Sequence, residues 1–300
     1  MIRDSATPEG VFSPVWSRTM DYVILMKPEL TMLAVLTALG GAYLAAAGEV
    51  HYSILAFTLL GTVLVGGGAG ALNQYLERKF DAMMRRTENR PLPSGRLRDH
   101  QAILFGIVAS ISGVILLGAF THILAGALAA VTLATYLFLY TPLKRITPYA
   151  TVVGGIPGAL PPLIGWAAVT GDLTIGAWSI FFVLFFWQMP HFLSLAWMYR
   201  KDYARAGFKM LTVVEPTGAS ASRQILIYCL ALIPAVLFPA LVGILGVFYA
   251  IGAFLLSIGF LALALRLYSD RSNASAKRLF HGSLIFLSGL MGVMLLDRIV

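Results

Sequence analysis

Residues 53–81 read SILAFTLLGTVLVGGGAGALNQYLERKFD, and no residue from Ser53 to Leu76 is charged. A run of that length can cross a hydrocarbon core as a helix. It is continuously apolar and lacks the alternation of a membrane-barrel strand. Its end is unusual. Asn73, Glu77 and Asp81 follow one another at i, i+4 and i+8. If the helix continues, the three side chains share one stripe, spaced about 6 Å apart along the axis.

The rest of the chain repeats the apolar theme. Of 300 residues, 58% are hydrophobic and 12% charged, against about 25% charged in a soluble domain. Nine apolar segments stand out, at 29–47, 53–76, 101–119, 123–140, 150–168, 175–198, 224–242, 244–265 and 279–296. The basic residues fall into alternate gaps. Arg3, Arg18 and Lys27 precede the first segment. Seven, from Arg78 to Arg98, follow the second. Lys144 and Arg145 follow the fourth, Arg200 to Arg223 the sixth, and Arg266 to Arg278 the eighth. Of the 22 Lys and Arg, only Arg298 lies elsewhere. This asymmetry predicts an all-α polytopic membrane protein with nine transmembrane helices and a cytoplasmic N-terminus. Residues 1–28 read as a cytoplasmic tail and interfacial segment, and residues 29–300 as one transmembrane domain.

Composition also excludes several classes. The net charge of +8 is accounted for by topology, so no nucleic-acid partner is implied, and the lipid bilayer is the expected surroundings. A single cysteine, Cys229, rules out an internal disulfide or a cysteine metal cluster. Residues 1–20 are polar and carry Asp4 and Glu9, unlike a cleavable signal peptide. No inverted repeat of the kind common in transporters is visible. Gly66, Gly67, Gly68 and Gly70, and later Gly154, Gly155 and Gly158, allow close helix approach. Pro157, Pro161 and Pro162 should break the fifth span, and broken membrane helices are tolerated beside a cavity.

The chemistry sits in three places. Asn73, Glu77 and Asp81 offer oxygen donors suited to Mg²⁺, which is commonly shared with substrate phosphates. Arg86 and Arg90, with Arg85, carry the guanidinium geometry that grips phosphate oxygens. A solvated helix end with incidental charges is the competing account, although Asn73 near the end of an apolar run is costly without a function. The second place holds Trp187, Gln188, His191 and, beyond the sixth span, Asp202. Asp202 reads either as a second cation ligand or as a surface partner of Lys201 or Arg205. His191 reads either as a substrate contact or as an interfacial anchor in an aromatic belt. The third is Tyr140 with Lys144, a hydroxyl and a point charge able to hold a diphosphate. Lys144 also fits as a simple topology signal.

Together these segments resemble the UbiA superfamily of intramembrane prenyltransferases. Its N-x-x-x-D-x-x-x-D motif matches Asn73, Glu77 and Asp81, with Glu in the middle position, and its Y-x-x-x-K matches Tyr140 and Lys144. Within it, the members that farnesylate haem are similar over four stretches: Arg86 to Arg96, Gly154 to Trp166, Trp187 to Phe192, and Asp202 to Gly207. Two departures stand out: Lys79 replaces an acidic residue common in the superfamily, and Asp202 has no acidic partner four residues before it, where Met198 stands. The resemblance implies a UbiA-like bundle with a central cavity open to the cytoplasmic side of a bacterial inner membrane. It implies Mg²⁺ held by Asn73, Glu77, Asp81 and Asp202, and diphosphate held by Arg86, Arg90, Tyr140 and Lys144. It further implies transfer of farnesyl from farnesyl diphosphate to the vinyl group of haem B, giving haem O and diphosphate, with His191, Gln188 and Trp187 near the haem. A haem A synthase is an implied partner. Prenylation of an aromatic quinone precursor or of chlorophyllide is the alternative within the superfamily.

Overall fold

The computed structural model describes residues 14–49 and 51–298, so Arg3, Asp4, Glu9 and the first 13 residues of the expected tail lie outside the described residues. The described chain is helical. An amphipathic α1 (Pro14–Leu25) is followed by α2 (Pro28–Ala45), α3 (Tyr52–Asp81), α4 (Asp99–Phe120) and α5 (Ile123–Ala134). The last winds as a π-helix over Thr135–Tyr140 into the short α6 (Thr141–Leu143). Then come α7 (Ala150–Ala159), α8 (Pro161–Thr170), α9 (Ile175–Met198), α10 (Arg200–Arg205), α11 (Leu211–Val214), α12 (Ala219–Leu241), α13 (Val247–Asp270) and α14 (Asn273–Asp297). Among the described residues, nine helical spans are long and apolar enough to cross a membrane, and they coincide with the nine apolar segments. The chain is a multi-pass membrane protein.

Two spans form the centre. Ala150–Thr170 and Ile175–Met198 are 72% buried, whereas the other seven are 22–44% buried and turn side chains such as Leu104, Ile111 and Ile115 outward. In lipid an exposed apolar face is the low-energy arrangement, so those seven form the outer ring. The central span breaks at Leu160, where Pro161 and Pro162 supply no N–H to the preceding turn.

Helix approach is set by missing side chains. Gly68 of α3 lies on Ser110 and the Gly106 carbonyl of α4, and Gly165 of α8 lies on the Ala38 carbonyl of α2. Any Cβ at either site would collide with backbone, so these contacts depend on glycine.

The bundle has a basic end, carrying loops 82–98, 144–149 and 199–218, and a neutral end, carrying loops 46–51, 121–122, 171–174 and 242–246. A cavity of about 430 Å³ lies in the neutral half of the bundle between α2, α9 and α14, lined by Thr37, Gly40, Ile180, Leu184, Leu287 and Met294 among others. It does not adjoin the stripe of Asn73, Glu77 and Asp81. There, the space between helices is taken by the side chains of Lys27, Arg90 and Lys144.

Candidate active site

The helix begun at Tyr52 runs without a break to Asp81, which puts Asn73, Glu77 and Asp81 on one face. All three are buried, at 0%, 7% and 1% exposure. Burial on this scale rules out a solvated helix end and demands partners. The partners come from three other stretches of the chain: Lys27 before α2, Thr141 and Lys144 at α6, and Arg90 in the loop after α3. Asn73 donates from Nδ2 to Thr141 Oγ1 at 2.9 Å and accepts from Lys27 Nζ. Glu77 receives Lys144 Nζ on both oxygens, at 2.8 and 3.1 Å. Asp81 receives Arg90 at 2.8 Å on Oδ2, while its Oδ1 is buried with no partner.

Local sequence explains how the partners arrive. Pro142 cannot donate to the turn before it and its ring crowds that turn. The helix widens there into the π-wound segment, with Thr141 N bonded to the Tyr136 carbonyl. Such single-turn widenings are frequent at functional sites. This one turns Thr141 toward Asn73 and leaves Lys144 above the Tyr140 ring, 4.5 Å from its centroid. Tyr140 in turn packs on Gly154, where a Cβ would strike its ring. After α3, Thr87 Oγ1 donates to the Asp81 carbonyl at 2.8 Å. That bond folds the loop back and returns Arg90 to the carboxylate nine residues before it.

Lys27 is the residue that the sequence reading missed, having counted it only as a topology charge. It occupies the left-handed region, φ 51° and ψ 66°, immediately before α2. A non-glycine residue there is strained, and such strain clusters at functional sites. Burial, and next the charge of Arg90, bring its ammonium down to about 7. Lys144 behaves oppositely. Burial pulls it down, but Glu77 and the neighbouring tyrosines outweigh that and hold it above the ordinary lysine range. Lys27, Arg90 and Lys144 thus face only Glu77 and Asp81. The cluster holds one basic side chain more than it has carboxylates, and Lys27 is the one whose charge burial weakens.

The remaining candidates are arranged around this cluster. Arg86 donates to Tyr203 Oη at 2.7 Å and stacks on the Tyr199 and Tyr203 rings, joining the loop after α3 to α10. Asp202 pairs with Arg205 at 3.5 Å, as its surface reading anticipated. Gln188 is buried and donates to the Gly155 carbonyl at 2.7 Å. Trp187 is buried and donates to the Ser283 carbonyl at 2.8 Å. His191 lies between the rings of Trp187 and Phe280, at 5.3 and 4.7 Å, with Nδ1 2.7 Å from Ser283 Oγ.

Among the described residues, no three His, Cys, Asp or Glu side chains converge as a ready metal cluster. The stripe nonetheless suits a hard divalent cation. Its donors are all oxygens, and Asp81 Oδ1 is a buried acceptor left over for one.

Comparison with known proteins gives one answer from sequence and a concordant fold. The profile of the UbiA prenyltransferase family matches residues 34–290. The chain is 46% identical to a protoheme IX farnesyltransferase of Solibacter usitatus, over 93% of this chain and 98% of that relative. It is 44% identical to a protoheme IX farnesyltransferase of Salinibacter ruber, over 92% and 98%. Among solved structures, it is similar to a digeranylgeranylglyceryl phosphate synthase, with a TM-score of 0.79 at 16% identity over 94% of this chain and 99% of that one. It is also similar to a UbiA homologue from Archaeoglobus fulgidus bound to DMAPP and Mg²⁺, with a TM-score of 0.69 at 14% identity over 91% and 99%.

Proposed function

Because the chain belongs to the UbiA prenyltransferase family, we propose that it transfers a farnesyl group from farnesyl diphosphate to a vinyl group of protoheme IX, giving haem O and diphosphate. The observation that carries the diphosphate half is the buried cluster at the end of α3, with three basic side chains beside two carboxylates. The acceptor is read from what the 46% and 44% identical relatives are called. The setting is a bacterial plasma membrane with the basic end and the N-terminus on the cytoplasmic side, following the charge asymmetry of the loops. A haem A synthase is a natural consumer of the product.

Asn73, Glu77, Asp81 and, across the loops, Asp202 would hold Mg²⁺. When bound, the ion adds positive charge to the diphosphate oxygens. Arg86, Arg90, Tyr140, Lys144 and Lys27 bind the diphosphate itself. As the allylic C–O bond breaks, its electron pair leaves with the diphosphate. Fixed cations in a low-dielectric site stabilise that charge without reorganising. The vinyl group then supplies the electrons for the new C–C bond, and water adds to the carbon left positive and loses a proton. Apolar walls keep water from capturing the farnesyl carbon first.

The apolar tail has somewhere to go. From Lys27 to Thr37 the axial rise of α2 is about 15 Å, comparable to three extended isoprene units. A tail anchored at the basic end and lying along α2 therefore ends at the cavity beside Thr37 and Gly40. Mass spectrometry of haems extracted from membranes with and without the chain tests the proposal. A hydroxyethylfarnesyl haem is expected only with it. Unchanged haem together with prenylated 4-hydroxybenzoate would replace this acceptor with an aromatic one.

A further inference from the structure

Ser283 is a buried hydroxyl in the apolar run of α14, and its bonds fix more than packing. Its Oγ donates to the Phe280 carbonyl at 2.6 Å. A serine hydroxyl has one hydrogen and two lone pairs. With that hydrogen committed, the contact of 2.7 Å to His191 Nδ1 is one in which Ser283 accepts. The proton of the neutral imidazole then sits on Nδ1, and Nε2 keeps its lone pair. Trp187 holds the Ser283 carbonyl from the same helix face as His191, one turn away. Phe280 covers the ring. Among the described residues Nε2 has no hydrogen-bond partner, and it is not sealed off as a buried orphan.

The position of the pair matters equally. On α9, Leu184 and Ile180 lie seven and eleven residues before His191. On α14, Leu287, Leu290 and Met294 lie four, seven and eleven residues after Ser283. These spacings return to one helix face, and all five residues line the apolar cavity. His191 and Ser283 therefore continue the cavity's own stripe toward the basic end. They lie between the space read as holding the tail and the level of the diphosphate cluster.

The geometry points to Ser283 as a positioning residue that holds His191 in the Nδ1–H tautomer, so that Nε2 ligates the iron of the haem substrate. A ligating histidine is typically fixed and made more basic by a partner on its other nitrogen. The inference rests on the haem-farnesylating reading, and its test separates the two. Resonance Raman spectra of the purified protein with ferrous haem B report the iron–histidine stretch directly. The wild type should show this band and His191→Ala should lack it. Ser283→Ala, which removes the acceptor on Nδ1, should shift the band to lower frequency, and Ser283→Thr should restore it. If Ser283→Ala does not accumulate, Ser283→Cys, a weaker acceptor, must shift the band the same way by less. An unshifted band in Ser283→Ala or Ser283→Cys overturns the role of Ser283. A band surviving in His191→Ala, or absent from a wild type that still farnesylates haem, overturns the ligation alone. A wild type that neither binds nor converts haem B overturns the functional reading, and the ligation with it.

Discussion

At the two ends of the bundle the same charged residue types do different work. At the neutral end, the Asp297 carboxylate accepts from Gly246 N at 2.6 Å and Tyr249 N at 2.9 Å, capping the start of α13. Arg298 donates to the Leu44 carbonyl at 3.0 Å, near the close of α2. An acid at a helix start and a base at a helix end are favourable against the helix dipole, and each charge there has a peptide group as its partner. At the basic end, the charges of Lys27, Glu77, Asp81, Arg90 and Lys144 meet one another across helices. They hold one basic side chain more than carboxylates, and Asp81 Oδ1 is buried without a partner. Arg298 also keeps its Nε buried without a partner, so the contrast lies in the kind of partner: Asp297 and Arg298 meet peptide groups and complete helix ends, whereas the basic-end charges meet one another across helices.

The largest effect expected from this contrast is at Asp81. Asp81→Asn keeps the shape and removes the acid, so turnover should fall by at least ~100-fold, with the protein still inserted in membranes and monodisperse in detergent. Radiolabelled farnesyl transfer to haem B measures it. Turnover near that of the wild type would remove Asp81 from the reaction.

Lys27→Met comes next. It keeps the length of the side chain and discards the charge. It should raise the apparent KM for farnesyl diphosphate and lower kcat by roughly 10-fold, and Lys27→Arg should recover part of both. Unchanged kinetics in Lys27→Met would return Lys27 to the role of a topology signal.

These two sites also mark what the sequence made legible. The nine spans followed from hydropathy and loop charge, because lipid leaves few alternatives to an internally bonded helix. The stripe of Asn73, Glu77 and Asp81 followed from spacing alone, since the helix runs through it without a break. The break at Leu160 was likewise visible in Pro161 and Pro162. What stayed hidden depends on contacts between distant segments. Nothing in the spacing of Lys27 says that a left-handed turn aims it at Asn73, forty-six residues on. One signal was available, a charged residue one position from an apolar span, where its cost makes a function worth suspecting. The π-wound turn could have been suspected from Pro142. The stacking of Arg86 on Tyr199 and Tyr203, and the bond from His191 to Ser283, join residues some ninety or more positions apart. No local pattern encodes them.

A third substitution sharpens the comparison by filling the cavity in the neutral half of the bundle. At Gly40 a Cβ would meet only the Met291 side chain at 3.7 Å, an ordinary contact, so a larger side chain can enter without disturbing backbone. Gly40→Phe should reduce farnesyl transfer by roughly tenfold while sparing geranyl diphosphate, whose shorter tail stops before the cavity. Equal losses with both substrates would place the tail elsewhere.

The smallest effect belongs to Asp297. Asp297→Asn leaves one acceptor oxygen for the Gly246 and Tyr249 amides, which bind separate carboxylate oxygens, and withdraws the negative charge from the start of α13, a change worth ~1 kcal/mol. Thermal unfolding in detergent should therefore begin a little earlier, while farnesyl transfer, dependent on groups at the opposite end of the bundle, stays at the wild-type rate. The two readouts together discriminate. A loss of activity as large as that of Asp81→Asn, with unfolding unchanged, would mean that the neutral end carries chemistry as well, and the division of roles between the two ends would fail.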